Sequence, residues 1–302
     1  MIRKLYHWLH DQLNASVDWN PMFRKTFNGK PVGKGHISEE HLRSAALDDA
    51  LSIQLMASGI PVVDYQFQVP YYHLYLQKAG YPPTYYGGGL DAKQNFTEKT
   101  LEHFVSLDFL SLTPESVFID IAACTSPFSE IVRNLYGVKE VFQQDLVYPK
   151  GVHEKKIGGY AHEIPFPDQS VDAVTLHCSL EHFEGTSDSE FFKTMNRILK
   201  PGGRVVVLPF YIAHEYTIHI DPAFNMLRFH QPNLEDPKAT LRYCNWYQFF
   251  SRHYDVPAIQ ERILAVAPQL KLTVYRVLNF RALDPNGYLR FIGVFEKEKP
   301  AI

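Results

Sequence analysis

The stretch Val117-Phe118-Ile119-Asp120-Ile121-Ala122-Ala123-Cys124-Thr125-Ser126-Pro127-Phe128 constrains this chain more than any other. An apolar run ending in a carboxylate suits a buried parallel strand that delivers an acidic group to the carboxyl edge of a sheet. Small residues follow, then Pro127, which suits a first helical position because its missing N–H would be unpaired there anyway. Ser126 can cap that helix, Phe128, Ile131, Val132 and Leu135 give it an apolar stripe, and Gly137 can end it. The order strand, tight loop, helix offers helix N–H groups to a ligand carboxylate while Asp120 faces a ligand cation.

The chain has 302 residues, enough for one large domain with an appendage, and its hydrophobic fraction of 45% is ordinary for a globular protein. A net charge of -3 shows no basic excess, so steering by nucleic-acid phosphates is not expected. Cys124, Cys178 and Cys244 are widely spaced and odd in number, which suggests neither a disulfide framework nor a zinc knuckle. A reducing, cytoplasmic setting is the expectation, with no transmembrane segment, since no apolar run approaches the roughly 20 residues a span needs. At the N-terminus Ile2, Leu5, Leu9 and Leu13 lie at helical spacing, and docking of that face on the protein's own core is expected.

The Asp120 stretch resembles the first motif of class I S-adenosylmethionine-dependent methyltransferases, an acidic residue followed by a Gly-x-Gly-x-Gly loop. Ala122, Cys124 and Ser126 stand where that family has glycines, so no residue of the loop takes a positive φ as cheaply as glycine does. A second stretch, Glu140 to Asp145, reads as another strand ending in an acid. In the family resembled, that acid holds the ribose hydroxyls, and two short acceptors suit a vicinal diol. The run Gly159 to Val174, with its Ile164-Pro165-Phe166 corner, carries the strongest resemblance, to the segment that contacts adenine and leads into the fourth strand. Tyr160 takes the place of the usual aspartate there, which leaves the backbone N–H of Ala161 to read the base.

The resemblance implies a three-layer α/β sandwich with a seven-stranded, mostly parallel, Rossmann-like sheet. It implies S-adenosyl-L-methionine as cofactor, held by Asp120, Ala122, Ala123, Cys124, Ser126, Asp145, Leu146, Tyr160, Ala161 and His177. Strand exits near a reversal of strand order face ligands in such sheets. The run after the fourth strand, His177-Cys178-Ser179-Leu180-Glu181-His182, should therefore face the transferable methyl. Glu181, His182 and His214 are the candidate catalytic groups, the two histidines because their intrinsic pKa suits a base near neutrality.

Residues 1–112 read as a helical cap and 113–302 as the sheet domain, with a substrate-side insertion at 210–245. Within the cap, Ser38-Glu39-Glu40 reads as a helix start before Leu42, Ala45, Ala46, Leu51, Ile53 and Leu55. A helix is expected over 63–79, interrupted by Pro70, and another from a capping box at Asn95 and Glu98 to about Leu110. Tyr81 to Gly89 reads as a mobile loop. The short span from Asp145 to Ala161 leaves the helix after the second strand in doubt. Ser187 and Glu190 suggest a capping box, residues 246–270 look helical, and 272–277 and 288–295 read as two strands joined by the Asp284-Pro285-Asn286-Gly287 turn. His214, Glu215, His219 and Asp221 could form a metal triad, but their spacing matches no metal motif, and a metal-free pocket wall is expected. The expected acceptor is a small molecule or sugar-containing metabolite methylated on oxygen, with no nucleic-acid partner. A methyltransferase-like binding or scaffold protein without catalysis is the other reading that the missing glycines leave open.

Overall fold

In the computed structural model, residues 2–19, 33–34, 44–86, 92–285 and 287–299 are described. The expectations on Ser38 to Leu42, on Gly87 to Gly89 and on Asn286 lie outside them, as does the side chain of Ile2. Strands are numbered along the chain: β1 Gly33–Lys34, β2 Val62–Tyr65, β3 Val117–Ile121, β4 Glu140–His153, β5 Lys156–Gly158, β6 Val171–His177, β7 Leu199–Leu208, β8 Thr217–Ile220, β9 Thr240–Tyr243, β10 Ser251–His253, β11 Leu270–Val277 and β12 Phe291–Lys297. The described strands of the main sheet run in the order β2-β11-β12-β7-β6-β3-β4-β5. The sheet is mostly parallel, with β12 antiparallel to both β7 and β11.

Alternate residues of the central strands face two separate cores. Phe118, Ala173 and Val206 pack with Leu101, Val105, Phe128 and Ile131 of the helices Ala92–Leu110 and Phe128–Tyr136. Their neighbours Ile119, Val174 and Val205 pack with Leu51, Leu55, Phe191 and Met195 of the helices Ala45–Ala57 and Ser187–Ile198. Period-two alternation between two covered faces produces three layers. The chain leaves β3 for β4 on one side and returns through β6 on the other, so the strand order reverses between β3 and β6. That reversal opens a crevice at their carboxyl ends.

Several local expectations change. The sheet has eight described strands rather than seven because Val62–Tyr65 is not helical but pairs in parallel with β11. Pro70 therefore sits in the first turn of the helix Val69–Ala79 instead of interrupting it. Asn95 lies inside the helix that begins at Ala92, not at its cap. Thr186 takes the N-cap position before Ser187, without a side-chain hydrogen bond, and part of 246–270 is strand β10. Ile53 and Leu135 are exposed, while Leu51, Leu55, Ile131 and Val132 carry the burial.

After β3's neighbour leaves the sheet no helix forms. Gln143, Gln144 and Asp145 pair with Lys156, Ile157 and Gly158, and then Val152 and His153 return opposite Ile157 and Lys156. A strand ribbon thus replaces the crossover helix. At Gly158 an added Cβ would fall 2.0 Å from the Pro149 carbonyl oxygen, so only glycine lets the ribbon fold back.

The 210–245 segment supplies the helix Pro222–Leu227 and strands β8 and β9 of a second small sheet, order β1-β9-β8-β10, which β1 and β10 complete from outside it. It is bolted down by buried charge. Asp188 binds Arg252, Arg262 and the Tyr254 hydroxyl, and Arg262 also binds Asp236. The helix Ile2–Ser16 docks on this unit through a mixed face, on which Leu13 packs against the core as expected and polar side chains make the rest. His10 is fully buried against Asp221 at 2.7 Å, while Leu5 and Leu9 point outward.

Candidate active site

The loop after β3 holds left-handed backbone at two positions that lack glycine, with φ of 53° at Ala122 and 42° at Cys124. Such a conformation costs an L-residue about 1–2 kcal/mol. Hydrogen bonds from the neighbouring strand hold it in place. Ala122 and Ala123 donate their N–H groups to Gln144, to its side-chain Oε1 and its backbone carbonyl. Cys124 donates its N–H to Asp145 Oδ2 at 2.8 Å, and Tyr148 donates its hydroxyl to the Cys124 carbonyl. At the helix start Ser126 Oγ accepts from the Phe128 N–H, so that donor is engaged within the chain.

Asp120 is buried beneath this loop at 1% exposure. Its Oδ1 accepts from Thr175 Oγ1 at 2.9 Å and lies 3.4 Å from His177 Nδ1, whereas its Oδ2 has no partner among the described residues. His177 turns its Nε2 to Ser106 of the covering helix Ala92–Leu110. Beside it, His103 from the same helix contacts Ser126 and Tyr81, and burial pushes its imidazole well below the ordinary pKa, with His177 and Lys99 adding to the effect.

A cavity of about 480 Å³ opens at this crevice. Ala122, Asp145, Leu146, Tyr160, Ala161 and His182, all expected at a site, share its wall. Tyr160 is half exposed and stacks on His162 at 5.3 Å, a flat surface that no aspartate would offer. Asp120, Ala123, Cys124, Ser126, His177 and Glu181 do not line it, Cys124 being exposed on the loop, and His214 is exposed outside the cavity. Of the four residues considered for a metal, three are engaged apart: Glu215 with Arg242 and Thr240, Asp221 with His10 and Asn14, and His219 against Trp246.

His182 Nδ1 lies 2.6 Å from the Phe250 carbonyl oxygen. A carbonyl only accepts, so Nδ1 carries the proton and Nε2 keeps its lone pair in the neutral ring. Glu181 Oε1 is 3.6 Å from that Nε2, and burial raises the Glu181 carboxyl above its ordinary pKa.

Sequence reading missed Gln144, which donates from Nε2 to the Gly159 carbonyl and so ties the two ligand loops together. It also missed Glu184, which holds His230 and the Asn233 N–H at the opposite rim. Missed too was Lys99 from the covering helix, 2.5 Å from Cys178 Sγ and 3.1 Å from Glu102. The only sequence signal for these was position, next to Asp145 for Gln144 and next to the strand exit for Glu184.

Residues 119–207, from β3 through β7, match the family described as a methyltransferase domain. The sheet is Rossmann-like, and the match covers β3, β4, β6 and β7, the strands that build the crevice. Among curated relatives of the methyltransferase domain is the ubiquinone/menaquinone biosynthesis C-methyltransferase UbiE of Proteus mirabilis. It is 42% identical over 50 residues, 17% of this chain and 19% of the relative. The same enzyme of Pseudomonas aeruginosa is 44% identical over 50 residues, with the same shares. The chain thus spans about a fifth of the length of the relatives it matches. Similar solved structures include a 1,6-didemethyltoxoflavin-N1-methyltransferase from Burkholderia thailandensis with S-adenosylhomocysteine bound. Its TM-score is 0.44 at 14% identity, covering 78% of this chain and 94% of that one. A geranyl diphosphate C-methyltransferase from Streptomyces coelicolor has a TM-score of 0.44 at 12% identity, covering 74% and 88%. Among the described residues, no helix is long and apolar enough to cross a membrane.

Proposed function

We propose that this protein is an S-adenosylmethionine-dependent methyltransferase that methylates an oxygen of a small-molecule or sugar-containing acceptor. One observation carries the reading. Asp120 Oδ2 is a buried carboxylate oxygen with no donor among the described residues, two positions before Ala122, which lines a cavity walled also by the carboxylate Asp145. Leaving such an acceptor unmet costs about 1–3 kcal/mol, a cost that a ligand ammonium removes.

The residues fit the cofactor. Asp120 offers its free oxygen to the amino group of the methionine part. Asp145 spends one lone pair of each oxygen on the Cys124 and Val147 N–H groups and keeps others for ribose hydroxyls. Tyr160 offers its ring, and Ala161 its backbone, to adenine. When bound, S-adenosylmethionine supplies an electrophilic methyl on a sulfonium. The chain's task is then to hold an acceptor in line, which is where most of the rate gain of such reactions arises.

His182 supplies the remaining chemistry. With Nδ1–H fixed by Phe250, its Nε2 takes the proton that an acceptor hydroxyl loses, and Glu181 steadies the resulting imidazolium. The relatives' name concerns methylation of carbon, but a positioned imidazole base favours a protic oxygen acceptor. The left-handed backbone of Ala122 and Cys124 supports a working loop despite the lost glycines. Titration calorimetry with S-adenosylhomocysteine tests the cofactor. Binding that weakens in Asp120→Asn is expected, and no heat together with no thermal stabilisation at saturation would reject the reading. Transfer of labelled methyl to a panel of phenols and sugars, abolished in His182→Gln, tests the acceptor atom.

A further inference from the structure

The first helix turns apolar side chains to solvent. Leu5, Trp8 and Leu9 stand at i, i+3 and i+4, the spacing of one helical face, and all three are exposed, Trp8 by 58%. The opposite side holds the helix to the protein. His10 is buried against Asp221, Asn14 donates to the other Asp221 oxygen at 3.0 Å and accepts the Ala223 N–H, and the His10 ring stacks on Tyr247 with centroids 3.9 Å apart. These buried bonds fix the rotation of the helix, so its docking sets the outward row of Leu5, Trp8 and Leu9.

A second apolar tip lies beside it. The chain leaves the helix Pro222–Leu227 with left-handed backbone at Phe229, φ 54°, and that ring is 97% exposed, with Met226 exposed one turn earlier. Arg228 joins the two elements, its guanidinium 5.5 Å from the Tyr6 ring of the first helix and 5.5 Å from the Phe224 ring. Arg228 and Lys4 are both exposed and border the apolar side chains with positive charge. Asp11, the acid of the first helix, accepts the Tyr247 hydroxyl at 3.3 Å. His230, the residue after Phe229, lines the cavity, so the exposed tip and the site meet at one turn.

We infer that the first helix and the Met226–Phe229 turn form one docking face for the surface of an anionic lipid bilayer. A helix that lies in the headgroup layer presents apolar side chains and an interfacial tryptophan on one face, with lysine or arginine at its borders. Those borders supply the charge that lipid phosphates attract. A second copy of the chain fits worse. Leu5, Trp8, Leu9, Met226 and Phe229 fall far short of the roughly 20–30 residues a side that a stable dimer buries. The inference stands apart from the methyl-transfer reading, and it sets the His230 wall of the cavity close to the bilayer.

The test is co-sedimentation of the full chain with vesicles of phosphatidylcholine alone and of an equal mixture with phosphatidylglycerol. The mixed vesicles should bind at least about fivefold tighter, and Lys4→Gln combined with Arg228→Gln should erase that difference. Trp8→Ser and Phe229→Ser should each weaken binding to the mixed vesicles about tenfold, with thermal unfolding unchanged because both side chains are exposed. Trp8 is the exposed one of the three tryptophans, so emission should shift to the blue on binding, and less so in Phe229→Ser at the same lipid concentration. Protein that stays in the supernatant with both kinds of vesicle, or binding that either apolar variant leaves unchanged, overturns the inference. Dimerisation of the chain that is lost in Trp8→Ser assigns the face to a second copy and overturns it equally.

Discussion

The backbone N–H of Cys124 meets Asp145 Oδ2 at 2.8 Å, so an acid within β4 closes the loop that follows the neighbouring strand β3. One carboxylate therefore shapes the loop and faces the cavity. The Asp145→Ala variant should weaken S-adenosylhomocysteine binding by at least about tenfold, because a lost charged acceptor is worth roughly 1.5–3 kcal/mol. Calorimetry decides it, and unchanged affinity counts against the ribose role.

Cys124 holds φ at 42° with its N–H and carbonyl both engaged. Replacing it with glycine keeps both bonds and releases the left-handed strain. Cys124→Gly should raise stability by about 0.5–1 kcal/mol after the unfolded-state entropy of glycine is counted. Thermal unfolding should show a midpoint higher by a few degrees, and a lower midpoint would mean that the strain is absent.

Asp188 is fully buried and holds two arginines. Arg252 and Arg262 in turn bind the carbonyls of Phe183 and Gly185, on either side of the cavity residue Glu184. Removing the carboxylate leaves buried cations uncompensated, so Asp188→Ala should cost about 3–5 kcal/mol in denaturant unfolding. A loss under about 1 kcal/mol, as for a surface pair, would contradict that assignment.

Glu98 gives the fold a pH dependence of defined sign. Folded, its carboxyl keeps the proton up to about pH 7, while the ordinary value is 4.5. The folded state binds the extra proton in that window, so stability falls as pH rises from 4.5 through 7. Glu98→Gln should leave stability near pH 4.5 little changed and raise it at pH 8 by up to about 3 kcal/mol. Parallel urea titrations at the two pH values would show the difference, and equal effects at both would remove Glu98 as the source.

The central strands were legible because buried parallel strands read as apolar runs, and β3 and β6 each end where a polar residue meets the edge. The Asp120 and Asp145 placements followed from that pattern. Val62–Tyr65 was not legible, since a stretch as short as Val62-Val63-Asp64-Tyr65 looks the same in strand and helix until a partner such as β11 is known. The β4–β5 ribbon left only a negative trace, a span too short for a helix. Lys99 and Cys178 are 79 positions apart, and no local period reports a contact between them. The polar inner face of the first helix escaped for the same reason, because its partner Asp221 is 211 positions away.

The edge strand β2 carries a consequence for how the molecule is assembled. Asp64 on it is bound by Arg276 of β11, 212 positions later, and β11 is in turn zipped to β12. Three of the eight described strands, β2, β11 and β12, therefore wait for residues 270–297, made after the central strands, and closing so long a loop is slow. A nascent copy on the ribosome would carry the β3-to-β7 half with its flank open, and trimming the protein to residues 119–207 would leave that flank permanently unsealed.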